Sequence, residues 1–459
     1  MSEVGLVLIL AFVALLVLGV PIYLALGFSA LATIVVFDLL PLTAVPGTIR
    51  SSLNSFTLLA IPFFILAGNL LAGSQIAVRL IELARAFVGA IRGGLAVVSV
   101  WVGVFFAGIS GSGPADVGAQ GAVLIPALER DGYPRPFASA LVAANGAIGI
   151  IVPPSIGLIV YGVVANVSIG RLFIAGIIPG VVVAISFALV SVFLARRHGW
   201  GPVPAIAGGA GDQPPVDVEG ARVEPEDFRL VHLSAKERVG ALFTAARRAG
   251  WGILAPLIIL GGIYGGIFTP TEAAAVVVVY ALFVGMVVYR DIKIRDLPRI
   301  FVSSARMSGV VMIIVASASL YAFILNTEGI ARDFATFLTS IAPNALVLLL
   351  MINLVILLAG TLLDAVSIYY IFVPILLPVA AAIGVDPVHF GLILTVNLAL
   401  GQVTPPVGVN LFVGASVGEV SIAEISKAVL PILVAGIIAL LVITFVPGLT
   451  LWLPDLLGA

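Results

Sequence analysis

Apolar runs of about twenty residues recur from one end of this chain to the other, and a helix of that length is what crosses roughly 30 Å of hydrocarbon. Of 459 residues, 61% are hydrophobic and 10% charged, and the mean hydropathy is +1.25, leaving too few polar residues to clothe a water-soluble surface. Membrane-barrel strands would alternate polar and apolar in segments of about ten residues, a pattern that does not occur here. The expected fold class is an all-α polytopic membrane protein whose first partner is the lipid bilayer. Cysteine is absent, which excludes disulfides, thiolate metal sites and thiol nucleophiles. A net charge of −1 provides no basic surface for nucleic acid. The start, MSEVGLVLIL, has neither a basic flank nor a small-residue cleavage site and reads as a retained first span.

Crossing helices are expected near 4–20, 22–40, 56–72, 136–166, 172–195, 250–268, 271–289, 307–326, 388–418 and 424–453, with hairpins over 94–128 and 344–383 that enter and leave on one side. The first arm of the earlier hairpin, Leu95 to Ile109, is too short to span before SGSG interrupts it. With the N-terminus outside, this layout puts 19 of the 22 Lys and Arg on one face, the expected cytoplasmic one, and only Arg50, Arg171 and Arg332 on the other. Both termini then face the periplasm or exterior. The Pro-, Gly- and acid-rich stretch 201–228 is expected to be a flexible linker, and 233–250 a basic amphipathic surface helix.

Sliding the chain on itself by 252 residues brings Gly108 onto Gly360, Pro126 onto Pro378, Asn145 onto Asn397, Gly149 onto Gly401, Pro153 and Pro154 onto Pro405 and Pro406, and Pro179 onto Pro431. An ungapped match concentrated on Gly, Pro and Asn implies two copies of one unit. Counting crossings sets helix 136–166 running outward and 388–418 inward, so the copies are expected to be inverted-topology repeats. The corresponding division is 1–93, N-terminal scaffold helices and an interfacial arm; 94–195, first repeat core; 196–250, linker and surface helix; 251–343, second scaffold and arm; and 344–459, second repeat core and last helix.

Non-helical backbone at bilayer depth is tolerated only where protein buries it or water lines it, so the breaks mark a site. The tip ISGSG offers Ser110 and Ser112 and the free N–H groups of a helix starting near Pro114. Pro153 and Pro154 cannot donate to the carbonyls four residues back, Gly149 and Ile150; in the second copy the corresponding carbonyls belong to Gly401 and Gln402. The second tip, GTLLD, supplies Gly360, Thr361 and Asp364. Oxygen ligands suit a hard cation, and two cation sites are expected, one per repeat, with substrate between them beside Pro154 and Pro406. Asp364, an acid in an apolar segment, either binds ligand or caps a helix; Asp116 divides the same way, and Ser155 either faces substrate or caps the second half-helix. Thr269, Pro270 and Glu272 read as a capping box. Hydrolysis lacks its parts, because the buried segments hold no Ser/His/Lys pairing, His cluster or paired acids. A channel would need a continuous pore.

LGVPIYLALG, FTLLAIPFFILAGNLLAGS, FFAGISGSGPAD, IIVPPSIG, IYGGIFTPTEAAAV and PILLPVAAAIGVDPVHFG with NLALGQVTPPVGVNLFV together resemble the large membrane subunit of tripartite ATP-independent periplasmic (TRAP) transporters, the dicarboxylate-transporter M-subunit family. The resemblance covers nearly the whole chain. It implies an elevator-type importer of organic acids with sodium as coupling ion and no other cofactor, working with a small four-helix membrane subunit and a periplasmic binding protein. It also implies one sodium site at Ser110, Ser112, Asn145 and Gly149, and another at Thr361, Asp364, Asn397, Gly401 and Thr404. The family's tip more commonly reads SGSAVAD, whereas Gly113 and Pro114 stand in the middle here. A binding-protein-independent dicarboxylate or citrate carrier of related two-hairpin design is the rival.

Overall fold

A computed structural model describes residues 3–74, 79, 83, 93–201, 216–218, 221–223 and 235–458. Four helices come first: α1 (Glu3–Val17), α2 (Ile22–Phe37), α3 (Val45–Leu53) and α4 (Ala60–Gly73). A first unit follows, with α5 (Gly94–Ser110) and α6 (Gly113–Arg130) forming a hairpin, α7 (Arg135–Ile148) and α8 (Ile156–Ala165) forming a broken helix, and then the long α9 (Ile169–His198). After α10 (Ala235–Tyr264), α11 (Pro270–Phe283), α12 (Leu297–Thr327) and α13 (Ile330–Ile341), the pattern recurs. The second hairpin is α14 (Ala345–Leu362) and α15 (Ala365–Ala382), the second broken helix is α16 (Pro387–Gly401) and α17 (Val409–Gly418), and α18 (Ile422–Phe445) and α19 (Gly448–Leu456) close the chain.

Helix starts in the two units pair as Gly94 with Ala345, Gly113 with Ala365, Arg135 with Pro387, Ile156 with Val409 and Ile169 with Ile422. Left-handed residues pair in nearly the same register: Gly132 with Gly384, at φ 85° and 79°, and Asn166 with Glu419, at φ 55° and 49°. The Pro153–Pro154 and Pro405–Pro406 bonds are both cis. Among the described residues, seven helices are long and apolar enough to cross a membrane: Phe56–Gly73, Ile169–His198, Pro270–Val288, Ile294–Thr327, Ala345–Leu362, Ala365–Ala382 and Ile422–Phe445.

Local chemistry explains where the elements stop. Two-residue links join the hairpin arms, Gly111 with Ser112 and Leu363 with Asp364. Gly111 is left-handed at φ 62°, and a Cβ there would stand 2.7 Å from the Pro154 carbonyl oxygen, so the first tip needs glycine twice over. The Thr269 capping box forms as its sequence indicates: the hydroxyl accepts from the Glu272 amide, and the Glu272 carboxylate accepts from the Thr269 amide at 2.8 Å.

Packing interleaves the units. The half-helix α17 of the second unit lies against α6 and α7 of the first, and α8 of the first lies against α15 of the second. Each hairpin is therefore held by the other unit's broken helix. Around them, α12 packs on α2, α3, α4 and α15, and α4 packs on α5 and α11.

Three expectations are corrected. The 233–250 surface helix and the 250–268 crossing are one continuous helix, Ala235–Tyr264, which runs on through Pro256 and the Gly261–Gly262 pair and ends at Gly265. The 424–453 crossing is divided at Val446, which precedes Pro447 and is pushed out of the helical region to φ −121°, ψ 80°. Within the linker, Val216–Val218 and Ala221–Val223 pair as antiparallel strands with Val216 opposite Val223. The rest of that stretch lies outside the described residues, as does most of the expected interfacial arm between 75 and 92.

Candidate functional site

At the first tip, the Ser110 hydroxyl donates to Asp116 Oδ1 and accepts from the Ser112 amide at 3.1 Å. Asp116 is buried in the first turn of α6, and its other oxygen, Oδ2, has no hydrogen-bond partner in the protein. That oxygen lies against Gly149, where a Cβ would stand 2.5 Å from it. The tip itself seats on the break of the same unit, since Gly111 packs against Pro154 and Ser155.

Ser155 is fully buried and acts as a cap: it accepts from the Leu158 amide at 3.3 Å and donates to the Ile150 carbonyl at 2.6 Å. This corrects the expectation of bare oxygens at the breaks. Of the four carbonyls that the prolines leave without helical partners, Ile150 is taken by Ser155, Gln402 accepts from the Asn410 amide at 3.0 Å, and Gly401 accepts from the Thr404 amide at 3.0 Å. The turns and the Ser155 hydroxyl thus re-satisfy three of the four carbonyls that proline releases, those of Ile150, Gly401 and Gln402, because an orphaned carbonyl at this depth is costly.

Unpaired oxygens sit on side chains instead. In the first unit Asn145 on α7 is fully buried and donates Nδ2 to Ser99 on α5 at 2.8 Å; its Oδ1 has no partner. In the second, Asn397 on α16 is fully buried and donates Nδ2 to Asn353 Oδ1 on α14 and to the Ile393 carbonyl at 3.0 Å; its Oδ1 likewise has no partner. In both units the hairpin's first arm takes the amide and turns the carbonyl oxygen loose. A buried acceptor without a donor costs about 1–3 kcal/mol, which a bound cation would recover.

At the second tip, Asp364 caps α15, with Oδ1 accepting from the Ser367 amide at 3.0 Å and Oδ2 from the Ser367 hydroxyl at 2.5 Å. Thr361 donates to Leu358 at 2.8 Å and Thr404 to Leu400 at 2.6 Å, so both hydroxyl protons are committed while their lone pairs are not. The Thr361 carbonyl accepts from the Gly408 amide at 3.3 Å and ties this tip to its own break. Gly360 and Gly401 touch backbone to backbone. Asp364, Thr361, Gly360, Gly401 and Thr404 thus share one locality, and Ser110, Ser112, Asp116, Gly149, Pro154 and Ser155 share another. Pro406 lies in the second break with Thr404.

A cavity of about 30 Å³ opens beside the first tip, lined by Ser110, Ser112 and Asp116 on one side and by Asn69 of α4 and Met307 of α12 on the other. Asn69 donates to Ser304 of α12 at 2.8 Å. Sequence reasoning passed over Asn69, Ser99 and Asn353. The signal was a polar residue in an apolar helix, most visibly Asn353 within LVLLLMINLVILLAG, which is expensive unless paired. Among the described residues no three His, Cys, Asp or Glu side chains gather to hold a metal.

Two interleaved hairpin and broken-helix units, buried in an apolar helical frame, define a multi-pass membrane protein of a transporter architecture. The chain belongs to the family described as "Tripartite ATP-independent periplasmic transporter, DctM component", which it matches over residues 9–449. It is 36% identical over 460 residues to the C4-dicarboxylate TRAP transporter large permease protein DctM of Rhodobacter capsulatus, covering 97% of this chain and 98% of the relative. It is 39% identical over 441 residues to the isethionate TRAP transporter permease protein DctMQ of Oleidesulfovibrio alaskensis, covering 96% of this chain and 65% of that longer protein. In fold it is similar to the Alcanivorax borkumensis YdaH transporter, with a TM-score of 0.57 at 16% identity, over 91% of this chain and 88% of that one. It is accordingly a large permease subunit of a TRAP transporter, a non-enzymatic protein of the inner membrane.

Proposed function

We propose that the chain is the sodium-coupled core of an importer of small organic acids. A periplasmic binding protein delivers the substrate, a small membrane subunit braces the frame, and both termini face the periplasm. The observation that carries the reading is the matched pair of buried asparagines, Asn145 and Asn397, each with its amide held by a hairpin arm and its carbonyl oxygen unpaired. One sodium ion per unit, ligated by Ser110, Ser112, Asn145 and Gly149 in the first and by Thr361, Asp364, Asn397, Gly401 and Thr404 in the second, would satisfy these oxygens. Bound charge beside each tip would then favour an anionic substrate in the cavity between the first tip and α4. The similar proteins named for C4-dicarboxylate and isethionate support small organic anions as the substrate class.

Coupling follows from linkage: a site that binds sodium and substrate together in one state shifts that state's population by the product of both affinities. An elevator would carry the two units past α1–α4 and α10–α13 as a body. Uptake of radiolabelled organic acid into proteoliposomes holding this chain with its small subunit tests the reading. With loaded binding protein outside, an inward sodium gradient should drive accumulation. Equal uptake in sodium-free buffer under a proton gradient, or uptake that persists without binding protein, would sink it.

A further inference from the structure

His389 lies in the first turn of α16, 2% exposed, and both of its ring nitrogens are engaged. Nδ1 meets the Thr450 hydroxyl of α19 at 2.7 Å, and Nε2 meets the Thr444 carbonyl of α18 at 3.2 Å. A carbonyl only accepts, so Nε2 carries a proton. Nδ1 is free to hold one or not, because its partner can reverse. With Nδ1 bare, the Thr450 hydroxyl donates to it; with Nδ1 protonated, the hydroxyl accepts and turns its own proton to the Pro447 carbonyl, 2.9 Å away. That carbonyl also accepts from the Thr450 and Leu451 amides, each at 3.0 Å, so it is satisfied in either case. Imidazole and imidazolium are therefore both fully hydrogen-bonded here, and a proton enters without orphaning any group.

The histidine is joined to Asn397 at one remove. Thr444, whose carbonyl it holds, meets Asn353 Nδ2 through its hydroxyl at 3.3 Å, and Asn353 Oδ1 accepts the Asn397 amide. Along α16 the two residues are eight apart, about 12 Å of helix axis. Two like charges at that separation inside a protein disfavour one another by about tenfold in an equilibrium constant. Neighbouring charges are spoken for. Asp386 Oδ1 accepts from the Val388 and His389 amides, Arg171 of α9 pairs with Asp455 of α19 at 2.8 Å, and Arg135 of α7 pairs with Glu419 at 3.3 Å. The Tyr161 hydroxyl of α8 bonds the Pro387 carbonyl, and Tyr369 of α15 bonds Thr395. No charged residue lies within α8, α14 or α15, and the remaining charges of α9 and α18 stand at those helices' other ends. We infer that His389 is a proton site in competition with the ion at Asn397, so that acid weakens the second ion site. Sodium binds more tightly above the titration of His389 and more weakly below it, and by reciprocity sodium drives the proton off by the same factor. The inference rests on Asn397 ligating the coupling ion.

Equilibrium binding of ²²Na⁺ to the purified full-length chain in lipid nanodiscs, across the range in which histidine titrates, tests this. In wild type one bound ion should weaken about tenfold from the alkaline to the acid end. His389→Gln keeps a donor and an acceptor but takes no proton, and that weakening should vanish from it. A second readout needs no substitution at His389. Its side-chain ¹⁵N resonance, one of three histidines in the sequence, should titrate about one pH unit lower in saturating sodium than in choline. Acid weakening that persists in full in His389→Gln, or a His389 resonance that does not titrate or whose midpoint ignores sodium, overturns the proposal while leaving the sodium reading intact. Absence of saturable ²²Na⁺ binding at every pH would be the failure of the sodium reading itself, and this proposal would fall with it.

Discussion

Gly401 meets Gly360 so closely that an added Cβ would stand 2.6 Å from the Gly360 carbonyl carbon and 2.7 Å from its Cα. Backbone cannot step aside as the end of a side chain can, so this contact sets how near α16 approaches α14. In sequence, Gly401 reads as a glycine that bares its carbonyl for an ion; in the structure that carbonyl already accepts from Thr404. Close approach and ligation are compatible roles, because the second lone pair is still available. The packing role alone makes a firm prediction. Gly401→Ala should cost more than the roughly 1–3 kcal/mol of ordinary overpacking, since the clash is with main chain. Thermal unfolding in detergent without sodium should show a large loss of Tm or no monodisperse protein. An alanine variant that melts like wild type would mean that the helices stand further apart than described.

At the scale of elements, the asparagine on each broken helix works only through the arm that holds it. Asn353 accepts from Asn397 and donates to the Leu349 carbonyl at 2.9 Å and to Thr444 of α18 at 3.3 Å, so it joins α14, α16 and α18 in one polar chain. Asn353→Leu should free the Asn397 amide to rotate, raising the half-saturating sodium concentration for uptake by about tenfold, the equivalent of roughly 1.4 kcal/mol, with little change in the organic-acid KM. Equal shifts in both constants would show a merely structural role. The same elements show what sequence could and could not reveal. The 252-residue register exposed both hairpins and both broken helices because Gly and Pro break helices by local sterics that need no neighbour. It also led to the tips and to Asn145 and Asn397. It could not lead to Ser99 or Asn353, because which arm holds an asparagine depends on how helices pack. Nor could it show that Ser155 and Asn410 recapture the carbonyls released by proline, since those bonds close only once the turn has formed. The continuous α10 escaped for a further reason: its basic first turns look interfacial by composition, and only the helical backbone, which continues through Pro256, joins them to the apolar remainder.

For the molecule as a whole, the decisive surface is the one between the interleaved units and the helices around them. The units grip each other through α17 on α6 and α8 on α15, and they meet the surrounding helices where α5 packs on α4 and α15 on α12, while at the first tip a cavity separates the hairpin from α4 and α12. An elevator must break the contacts across that cavity and re-form them at another height, and a rocking motion with a fixed contact there need not. The absence of cysteine from the sequence makes the distinction measurable without background thiols. Ala72 of α4 and Ala115 of α6 both line the cavity, and both are small enough to replace with little disturbance. The double variant Ala72→Cys, Ala115→Cys, joined by a short reducible bridging reagent, should lose sodium-driven uptake almost completely and regain it on reduction. Each single variant should transport like wild type before treatment, and the loss in the treated double variant should exceed that in either treated single variant, because a one-ended adduct occupies the cavity without joining its walls. Full uptake by the cross-linked double variant would mean that the first tip and α4 keep their separation throughout the cycle, and the elevator would have to be abandoned for a motion hinged at that contact.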